Sequence, residues 1–431
     1  MAGSCPGPGW LNDRSLATII PPVIETGESR TRALLVTAFT ERTEDWKVRR
    51  VEAEARSLLD TLGIDCPGSV SFNLKTVSAA THLGSGQVEQ TREHALFFNA
   101  DMVYFDFALT ARAARNLEAA LGLPVMDRNE LIIEIFASRA KSREARLQVQ
   151  LARCQFLLPR LRAANVVYSQ QRGGVRGAKG EGERQIELDR RRLSEEVVKL
   201  RREIGKVKSR RVTQRRRRLD GTAPSFALVG YTNSGKSSLL SALTGCETLC
   251  EDKLFATLDT LERTVTLTGL QVILCDTVGF VSNLPHFLID AFSSTLEEAR
   301  LADALVLVLD GSSPDLMDNY TTTMSVLRDL DALDKPVIVA FNKCDMPCTE
   351  EIALAGIRSR HDMTVRVSAK TGENLAGLCS MIRSTALSLT GCRTVRLKVS
   401  DSAAIQELYA GKKVISADYT DDDVVFTIAD E

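Results

Sequence analysis

The sequence predicts an α/β fold in which a small parallel α/β subdomain, a long helical hairpin, a larger α/β domain and a small α+β module follow one another. Three observations lead to this prediction. Strand and helix patterns alternate in two separate stretches, two long apolar seams lie between those stretches, and a glycine-rich loop joins the first strand of the second stretch to its first helix. At 431 residues the chain is too long for a single core, so we expect several domains.

We place the domain boundaries where the pattern changes. An irregular lead-in covers residues 1–30 and the N-terminal α/β subdomain covers 31–128. The helical hairpin follows over 129–220, the second α/β domain over 221–390 and the α+β module over 391–431. Apolar residues make up 44% of the chain and charged residues 26%, as in ordinary globular proteins.

Composition also bears on the compartment. The ten cysteines lack paired zinc-ligand spacing, which indicates free thiols in a reducing cytosol. No run approaches the roughly 18 apolar residues of a membrane span, and residues 1–10 lack the features of a secretory signal. We expect a monomeric cytoplasmic protein without a membrane span, and peripheral attachment to a membrane stays open.

Residues 31–126 alternate strand and helix patterns, which predicts a small parallel sheet. The predicted strands are Ala33–Phe39, Ser69–Val77, Met102–Phe107 and Pro124–Met126, and the predicted helices are Glu44–Leu62, Gln87–Phe98 and Ala111–Leu121. The turn Gly84-Ser85-Gly86 precedes a helix start, so it could bind an anion or serve only as a structural turn.

Two long helices are predicted next, because apolar residues recur at spacings of four and three. They are Leu147, Leu151, Cys154, Leu158 and Leu161 in the first helix, and Leu193, Val197, Leu200, Ile204 and Val207 in the second. Pro159 is expected to kink or end the first helix. The segment Gly173–Gly182 is too rich in glycine and charge to bury a core, which predicts a mobile tip.

The hairpin is strongly basic although the whole chain has a net charge of −1. Residues 139–218 hold 25 Lys and Arg against 8 Asp and Glu, a net charge of +17, whereas residues 222–390 hold 12 against 21, a net charge of −9. The run Arg215–Arg218 has one sign, so pairing along the helix does not explain it. A solvated face is one interpretation, but a phosphate-rich partner better compensates the repulsion.

The glycine-rich loop matches G-x-x-x-x-G-K-[ST], the pattern of loops that hold nucleotide phosphates. It comprises Gly230, Tyr231, Thr232, Asn233, Ser234, Gly235, Lys236 and Ser237, and Ser238 follows it. A strand pattern precedes the loop and a helix pattern follows, so the helix dipole points at the anion. We expect backbone N–H groups to surround the phosphates, Lys236 to approach the β and γ oxygens, and Ser237 to bind Mg²⁺.

Three further motifs each follow a predicted strand, at the sheet edge where such folds bind ligands. In Asp276-Thr277-Val278-Gly279, Asp276 can hold Mg²⁺ through water and the Gly279 N–H can donate to the γ-phosphate. In Asn342-Lys343-Cys344-Asp345, the Asp345 carboxylate can accept from the guanine N1–H and exocyclic amine, a donor pair that adenine lacks. Ser368-Ala369-Lys370 fits a loop on the other side of the base. Together the motifs predict a P-loop GTPase domain that binds GTP and GDP.

The last segment predicts a small α+β module whose role the pattern does not indicate. Its predicted elements are the strand Thr394–Val399, the helix Ala403–Tyr409 and the strands Val414–Ala417 and Val424–Ile428. The turn Asp421-Asp422-Asp423 is interpreted as solvated rather than as a metal site.

The order of these motifs resembles the translation-factor-related P-loop GTPases, and over roughly residues 31–431 the chain is similar to the HflX family of ribosome-associated GTPases. The segments that carry this resemblance are Leu254–Asp259, Asp276–Phe280, Leu284–His286, Gln148–Ala152, Leu157–Leu161 and Gly182–Arg191. Three departures occur in the glycine loop. Arg172 stands before Gly173-Gly174 where the family commonly has a third glycine. An extra residue follows near Arg176, and Glu181 stands where the family usually has proline.

The resemblance implies roles for further residues. Phe255, Ala256 and Thr257 would form a segment over the nucleotide, in which Thr257 and Ser237 are the protein ligands of Mg²⁺. The resemblance also implies binding to the large ribosomal subunit and its rRNA, dissociation of stalled ribosomes, and hydrolysis that the ribosome stimulates. The glycine loop would then extend toward the peptidyl transferase centre.

No group that orients the attacking water is evident from the sequence. Phe280 follows the glycine where many GTPases have a glutamine, so we expect slow intrinsic hydrolysis that the bound ribosome completes. His286 could be proposed as the group that completes hydrolysis, but a surface or structural role for this histidine is favoured. Asn233 either helps to bind K⁺, as in related loops, or steadies the loop through a hydrogen bond.

Two functions remain open at this point. The first is a GTP-driven factor that splits ribosomes into subunits, which the long hairpin favours because it suits a deep RNA cleft. The second is a GTP-dependent ribosome assembly factor or RNA-binding regulatory protein.

Overall fold

A computed structural model of the protein describes residues 30–41, 43–170, 179–218, 223–245, 261–280, 288, 298–348, 350–411, 414–420 and 422–429. The chain divides into two compact units, Met1–Arg128 and Asn129–Glu431. Nearly all of the lead-in, most of the glycine loop, and the segments that contain Thr257 and His286 lie outside the described residues. Among the helices that are described, none is long and apolar enough to cross a membrane.

The first unit is built on a four-stranded parallel sheet in the order β2-β1-β3-β4. The strands are β1 (Arg32–Phe39), β2 (Asp65–Asn73), β3 (Met102–Phe105) and β4 (Val125–Asp127), and the helices are α1 (Asp45–Thr61), α2 (Ser85–Phe97) and α3 (Ala111–Leu121). Apolar residues of the sheet, α2 and α3 share one core, which includes Leu34, Val36, Val103, Phe105 and Leu117. The predicted parallel sheet is therefore confirmed.

The bounds of one predicted strand were wrong. β2 begins at Asp65 and ends at Asn73, instead of covering Ser69–Val77. Pro67 and Gly68 obscured its beginning, but β2 lies at the edge of the sheet, where proline is tolerated. At the turn before α2, the Gly84 N–H donates to Gln87 Oε1 at 2.9 Å. This side chain satisfies the helix terminus, which supports the structural interpretation of the Gly84–Gly86 turn.

The second unit begins with three helices, α4 (Arg128–Arg139, which starts one residue earlier), α5 (Arg143–Gln170) and α6 (Lys179–Arg218). α5 packs along α6. Arg143 at the start of α5 pairs with Glu203 late in α6, whereas Cys154 further along α5 lies near Glu196. The two helices therefore run antiparallel, as a hairpin requires.

The predicted apolar seams line the contact between α5 and α6. Leu147, Leu151 and Leu161 are buried on α5, and Leu193, Val197, Leu200 and Ile204 are buried on α6. Cys154, Leu158 and Val207 are partly buried.

The structure corrects two details of the hairpin. Of the two outcomes expected at Pro159, an end of the helix is wrong, because α5 continues to Gln170. The proline removes one helical hydrogen bond, a cost of about 3 kcal/mol that packing along α6 can offset. α6 begins at Lys179 and so includes Gly180, Glu181 and Gly182 of the predicted loop. Each glycine costs about 1 kcal/mol in a helix, which a long helix tolerates.

The second sheet has six strands in the order β10-β9-β8-β5-β7-β6. They are β5 (Ser225–Val229), β6 (Leu261–Leu267), β7 (Leu270–Asp276), β8 (Ala304–Asp310), β9 (Val337–Asn342) and β10 (Thr364–Arg366). Only β6 is antiparallel to its neighbour. The associated helices are α7 (Lys236–Thr244), α8 (Leu316–Asp329), α9 (Glu351–Arg358) and α10 (Leu375–Leu389).

β5 is buried along its whole length. Phe226 and Leu228 point into the core on one face of the sheet, and Ala227 and Val229 into the core on the other. A strand that is apolar on both faces is expected at the centre of a sheet that helices cover on both sides.

The last segment forms the predicted α+β module. It consists of β11 (Cys392–Lys398), α11 (Ser402–Gly411), β12 (Val414–Tyr419) and β13 (Asp423–Ala429), with the antiparallel order β11-β13-β12. Its small core contains the buried side chains of Val424, Phe426 and Ile428.

Candidate nucleotide-binding site

The four sequence motifs meet at the carboxyl edge of the six-stranded sheet. The phosphate-loop motif follows β5, and the motifs that begin at Asp276 and Asn342 follow β7 and β9. The Ser368 motif follows β10. β5 lies between β7 and β8, so the strand order reverses at this point. Such a reversal opens a crevice at the carboxyl ends of the strands, and ligands bind in such crevices.

Tight turns shape the phosphate loop. Gly235, directly before α7, has a φ of 90°, and a Cβ atom there would lie 2.2 Å from Asn342 Nδ2. Only glycine fits this close approach, which turns the first N–H groups of α7 toward the crevice. Asn233 has a φ of 59° and its side chain is exposed. Because asparagine adopts this left-handed conformation more readily than most residues, the backbone alone is a sufficient reason for Asn233.

Lys236 is buried, and its ammonium donates to the backbone carbonyls of Gly230 (3.1 Å) and Tyr231 (2.8 Å). Burial lowers the pKa of Lys236 to about 8, although the Asp276 carboxylate nearby acts in the opposite direction. The lysine is therefore a desolvated cation at the bottom of the loop, where an anionic ligand would favour its charged form.

Two oxygen ligands suited to a hard cation lie side by side next to Lys236. The Ser237 hydroxyl donates to the Asp276 carboxylate at 2.6 Å. Thr277, the next residue, is anchored by a hydrogen bond from its hydroxyl to the Leu228 carbonyl at 2.7 Å. Hydroxyl and carboxylate oxygens are the donors that Mg²⁺ prefers, so this pair fits a magnesium ion.

Two buried hydroxyls in the loop have no hydrogen-bond partner in the described part of the chain, Thr232 Oγ1 and Ser234 Oγ. Their side chains belong to residues that are 6% and 2% exposed. An unmade hydrogen bond to a buried hydroxyl costs about 1–3 kcal/mol, so both groups fit a site that takes a polar ligand.

Asn342 connects the two halves of the site. Its amide nitrogen donates to the Ser234 carbonyl at 2.9 Å, and its amide oxygen accepts from the Ala369 N–H at 3.0 Å. The side chain is 2% exposed. Asn342 therefore positions the phosphate loop and the loop at Ser368–Lys370 relative to each other.

Asp345 lies exposed beside the buried Ser368, whose hydroxyl donates to Asp345 Oδ1 at 2.6 Å. This hydrogen bond, more than the nearby Lys370 and Lys343, lowers the pKa of Asp345. The carboxylate is therefore ionised at neutral pH and can accept hydrogen bonds from a base. Lys370 is also exposed.

Sequence reasoning missed Asp310 at the end of β8. Its carboxylate pairs with the Lys343 ammonium at 2.7 Å, and it also accepts from the Ser312 N–H and hydroxyl. Lys343 has a φ of 63°, so the ion pair and a left-handed backbone together set its direction. The available signal was an aspartate at the end of an apolar strand, the same signal that identified Asp276.

The segment Val278-Gly279-Phe280 lies directly on the phosphate loop. Val278 and Phe280 are buried, and the Phe280 ring is 1% exposed within the core below β5. This burial is consistent with the expectation that Phe280 does not orient water. Phe255, Ala256, Thr257 and His286 lie outside the described residues, so their expected roles stay predictions.

Comparison with known proteins identifies the family. Residues 50–137 match a family described as GTP-binding GTPase N-terminal, residues 139–218 one described as GTP-binding GTPase middle region, and residues 225–343 one described as 50S ribosome-binding GTPase. The GTPase HflX of Spirochaeta thermophila is 39% identical over 398 residues, which are 92% of this chain and 96% of that protein. The GTPase HflX of Treponema denticola is 44% identical over 335 residues, which are 76% of this chain and 85% of that protein.

A solved structure of a GTP-binding protein from Sulfolobus solfataricus in complex with GDP is 24% identical, with a TM-score of 0.44 over 84% of this chain and 100% of that one. The assignment rests on the sequence relatives. The chain belongs to the HflX family of GTPases, as the motifs predicted, and it is a GTP hydrolase.

Replacing Lys236 with Met should stabilise the nucleotide-free protein while abolishing tight GTP binding. The folded-state pKa of Lys236, about 8, lies below the ordinary 10.5. Burial of the charge therefore lowers the free energy of unfolding, and this cost has its full value below about pH 8. That penalty disappears as the pH rises from about 8 to 10.5. We expect a gain of up to about 3 kcal/mol in the free energy of unfolding at pH 7, and none near pH 11.

Thermal unfolding of both proteins at pH 7 and pH 11 measures the effect. Lys370→Met, which changes an exposed lysine of the same domain, is the control and should leave stability unchanged. A Lys236→Met protein less stable than its parent at pH 7 would show that the two carbonyl hydrogen bonds outweigh the cost of burial.

Proposed function

We propose that this GTPase binds the large ribosomal subunit through its basic hairpin and splits stalled ribosomes into subunits. The observation that carries the proposal is the antiparallel pair α5 and α6 beside a nucleotide domain of opposite charge. α6 has 40 residues, a length of about 60 Å. Its last turn is the run Arg215–Arg218. A long, positively charged projection suits a phosphate-lined RNA cleft. The family matched over residues 225–343 is described as 50S ribosome-binding GTPase.

In this proposal the nucleotide lies along the carboxyl edge of the six-stranded sheet. The phosphates contact the loop Gly230–Ser238, with Lys236 at the β and γ oxygens and the Gly279 N–H at the γ-phosphate. The base lies between Asp345 and Ser368–Lys370. The ion pair of Lys343 with Asp310 supports this arrangement, because it holds Lys343 at the carboxyl edge of the sheet, where β8 ends.

Magnesium fits the hydroxyl–carboxylate pair of Ser237 and Asp276. We propose Ser237 as a direct ligand, with Asp276 acting through water and Thr257 completing the protein ligands. A bound magnesium ion would neutralise charge that develops on the phosphates. Ser237 and Asp276 would hold the ion beside the phosphates that Lys236 also contacts.

Splitting is tested by sedimentation of intact ribosomes with the protein and a non-hydrolysable GTP analogue. We expect conversion to subunits, and we expect the variant in which Arg215–Arg218 are all replaced by Gln to bind large subunits more weakly. The slope of log affinity against log salt should fall by about one for each arginine that contacts a phosphate.

The matched control replaces four exposed arginines outside the hairpin with Gln, namely Arg92, Arg112, Arg328 and Arg358. It should split ribosomes like the parent protein. Intact ribosomes together with normal binding to a precursor particle would favour the assembly-factor alternative instead.

Asp345→Asn should lower the preference for guanine about 10- to 100-fold, because a charged acceptor of two hydrogen bonds is lost. The new amide can donate to the C2 carbonyl of xanthine, so xanthine nucleotides should gain affinity. Competition of GDP, XDP and ADP for the site measures this selectivity, and Asp362→Asn, an exposed aspartate outside the motifs, is the control. Undiminished guanine selectivity would disprove the base-recognition assignment.

We propose that K⁺ accelerates hydrolysis several-fold over Na⁺ through the exposed Asn233 side chain. Asn233→Gly separates this role from a purely conformational one, since glycine keeps the left-handed backbone but lacks the amide oxygen. The K⁺ stimulation should disappear in this variant while GDP affinity stays the same. Equal rates in K⁺ and Na⁺ for the parent protein at matched ionic strength would remove the potassium hypothesis.

A further inference from the structure

The segment after β7 is joined to the phosphate loop by two main-chain hydrogen bonds. The Thr232 N–H donates to the Phe280 carbonyl at 2.7 Å, and the Phe280 N–H donates to the Gly230 carbonyl at 3.1 Å. The pair forms an isolated parallel bridge between Tyr231 and Phe280. We refer to these two hydrogen bonds as the latch.

The buried Phe280 side chain holds the latch in place. Its ring belongs to the core that contains Ala227, Val229, Leu305 and Leu307. Because these residues come from the central strands β5 and β8, the backbone of Phe280 is held at the level of the phosphate loop.

The latch leaves no room between the loop and Gly279. A Cβ atom on Gly279 would lie 2.7 Å from Thr232 Cα, 2.8 Å from Thr232 Cγ2 and 3.0 Å from Lys236 Nζ. A single added carbon would therefore already touch the lysine ammonium. The backbone of Gly279 therefore lies close to both the phosphate loop and the Lys236 ammonium.

We propose that the latch is an autoinhibitory contact that closes the γ-phosphate position and leaves the α- and β-phosphate positions open. The inference rests on the proposed roles of Lys236 and Gly279 at the terminal phosphates. For both groups to contact one γ-phosphate, Gly279 has to withdraw from Thr232, and the two hydrogen bonds of Phe280 have to break. GTP binding therefore has to break the latch, whereas GDP binding does not.

Phe280 therefore has a role of its own in this arrangement, although it cannot orient water as the glutamine of many GTPases does. Its buried ring favours the closed position of the segment, so the chain by itself favours GDP over GTP. A partner that draws the segment away from the phosphate loop would raise the affinity for GTP without touching the nucleotide. Such a partner would couple its own binding to the triphosphate state.

Two substitutions weaken the latch by different means, and neither removes the Gly279 N–H. Phe280→Pro deletes the N–H that donates to Gly230, and it also removes the buried ring that favours the closed position. Gly279→Ala adds a methyl group that collides with Thr232 only while the latch is closed, and the backbone of Gly279 does not have the positive φ that would exclude alanine. Gly356→Ala is the matched control, since a Cβ there makes an ordinary contact of 3.7 Å with Met317.

Dissociation constants for GDP and a non-hydrolysable GTP analogue, measured on the full chain without ribosomes, test the proposal. We expect the parent protein to prefer GDP, and both variants to shift the ratio toward the analogue about three- to tenfold, the value of one backbone hydrogen bond. The control should keep the parent ratio. An unchanged ratio in Phe280→Pro, together with selective loss of the analogue in Gly279→Ala, would overturn the latch.

Amide hydrogen exchange of the unmodified protein gives a second readout that does not depend on any variant. The Phe280 amide should exchange slowly with GDP and faster with the GTP analogue, because its acceptor is lost. Equally slow exchange in both states would refute the latch and leave the ribosome-splitting proposal intact. Normal latch behaviour without subunit dissociation would refute the splitting proposal alone.

Discussion

The rest of the site depends on two hydrogen bonds made by the Asn342 side chain. Its amide donates to the Ser234 carbonyl and accepts from the Ala369 N–H, so one planar group joins the phosphate loop to the loop after β10. The amide lies so close to Gly235 that no side chain fits at that position. Since three segments far apart in sequence meet at this group, the distance between the phosphate and base ends of the site is set by packing rather than by a ligand.

Buried charge is treated differently in the two units. In the first unit, the Arg128 guanidinium pairs with both Glu54 and Asp106, and Tyr104 donates to Asp106 as well, so the positive charge is compensated within the fold. In the nucleotide domain, the hydrogen-bond partners of the Lys236 ammonium among the described residues are two backbone carbonyls, and the pKa of Lys236 falls. A compensated charge needs no ligand to neutralise it, whereas a desolvated cation with no carboxylate at hydrogen-bonding distance among the described residues is a group arranged for an anion.

Sequence patterns were sufficient wherever the determining chemistry is local. α3 runs over Ala111–Leu121 as expected, because the Thr110 hydroxyl caps its start and Gly122 ends it in a left-handed conformation. The glycine spacing of the phosphate loop is local in the same sense. Features that depend on distant partners were missed or displaced, including the start of β2 beyond Pro67, the continuation of α5 through Pro159 and the pairing of Asp310 with Lys343. The bridge between Phe280 and the loop uses main-chain atoms only, so it has no signature in residue types.

The continuity of α6 has a mechanical consequence. The helix ends at Arg218, and β5, whose other end becomes the phosphate loop, begins at Ser225. A helix about 60 Å long would act as a lever arm if its C-terminal end, which lies close in sequence to the phosphate loop, were tilted. A tilt of about 5° at this end would displace the far end by about 5 Å, comparable to the rise of one helical turn. Small rearrangements around a phosphate group would thus produce large displacements of the N-terminal end of α6, at Lys179.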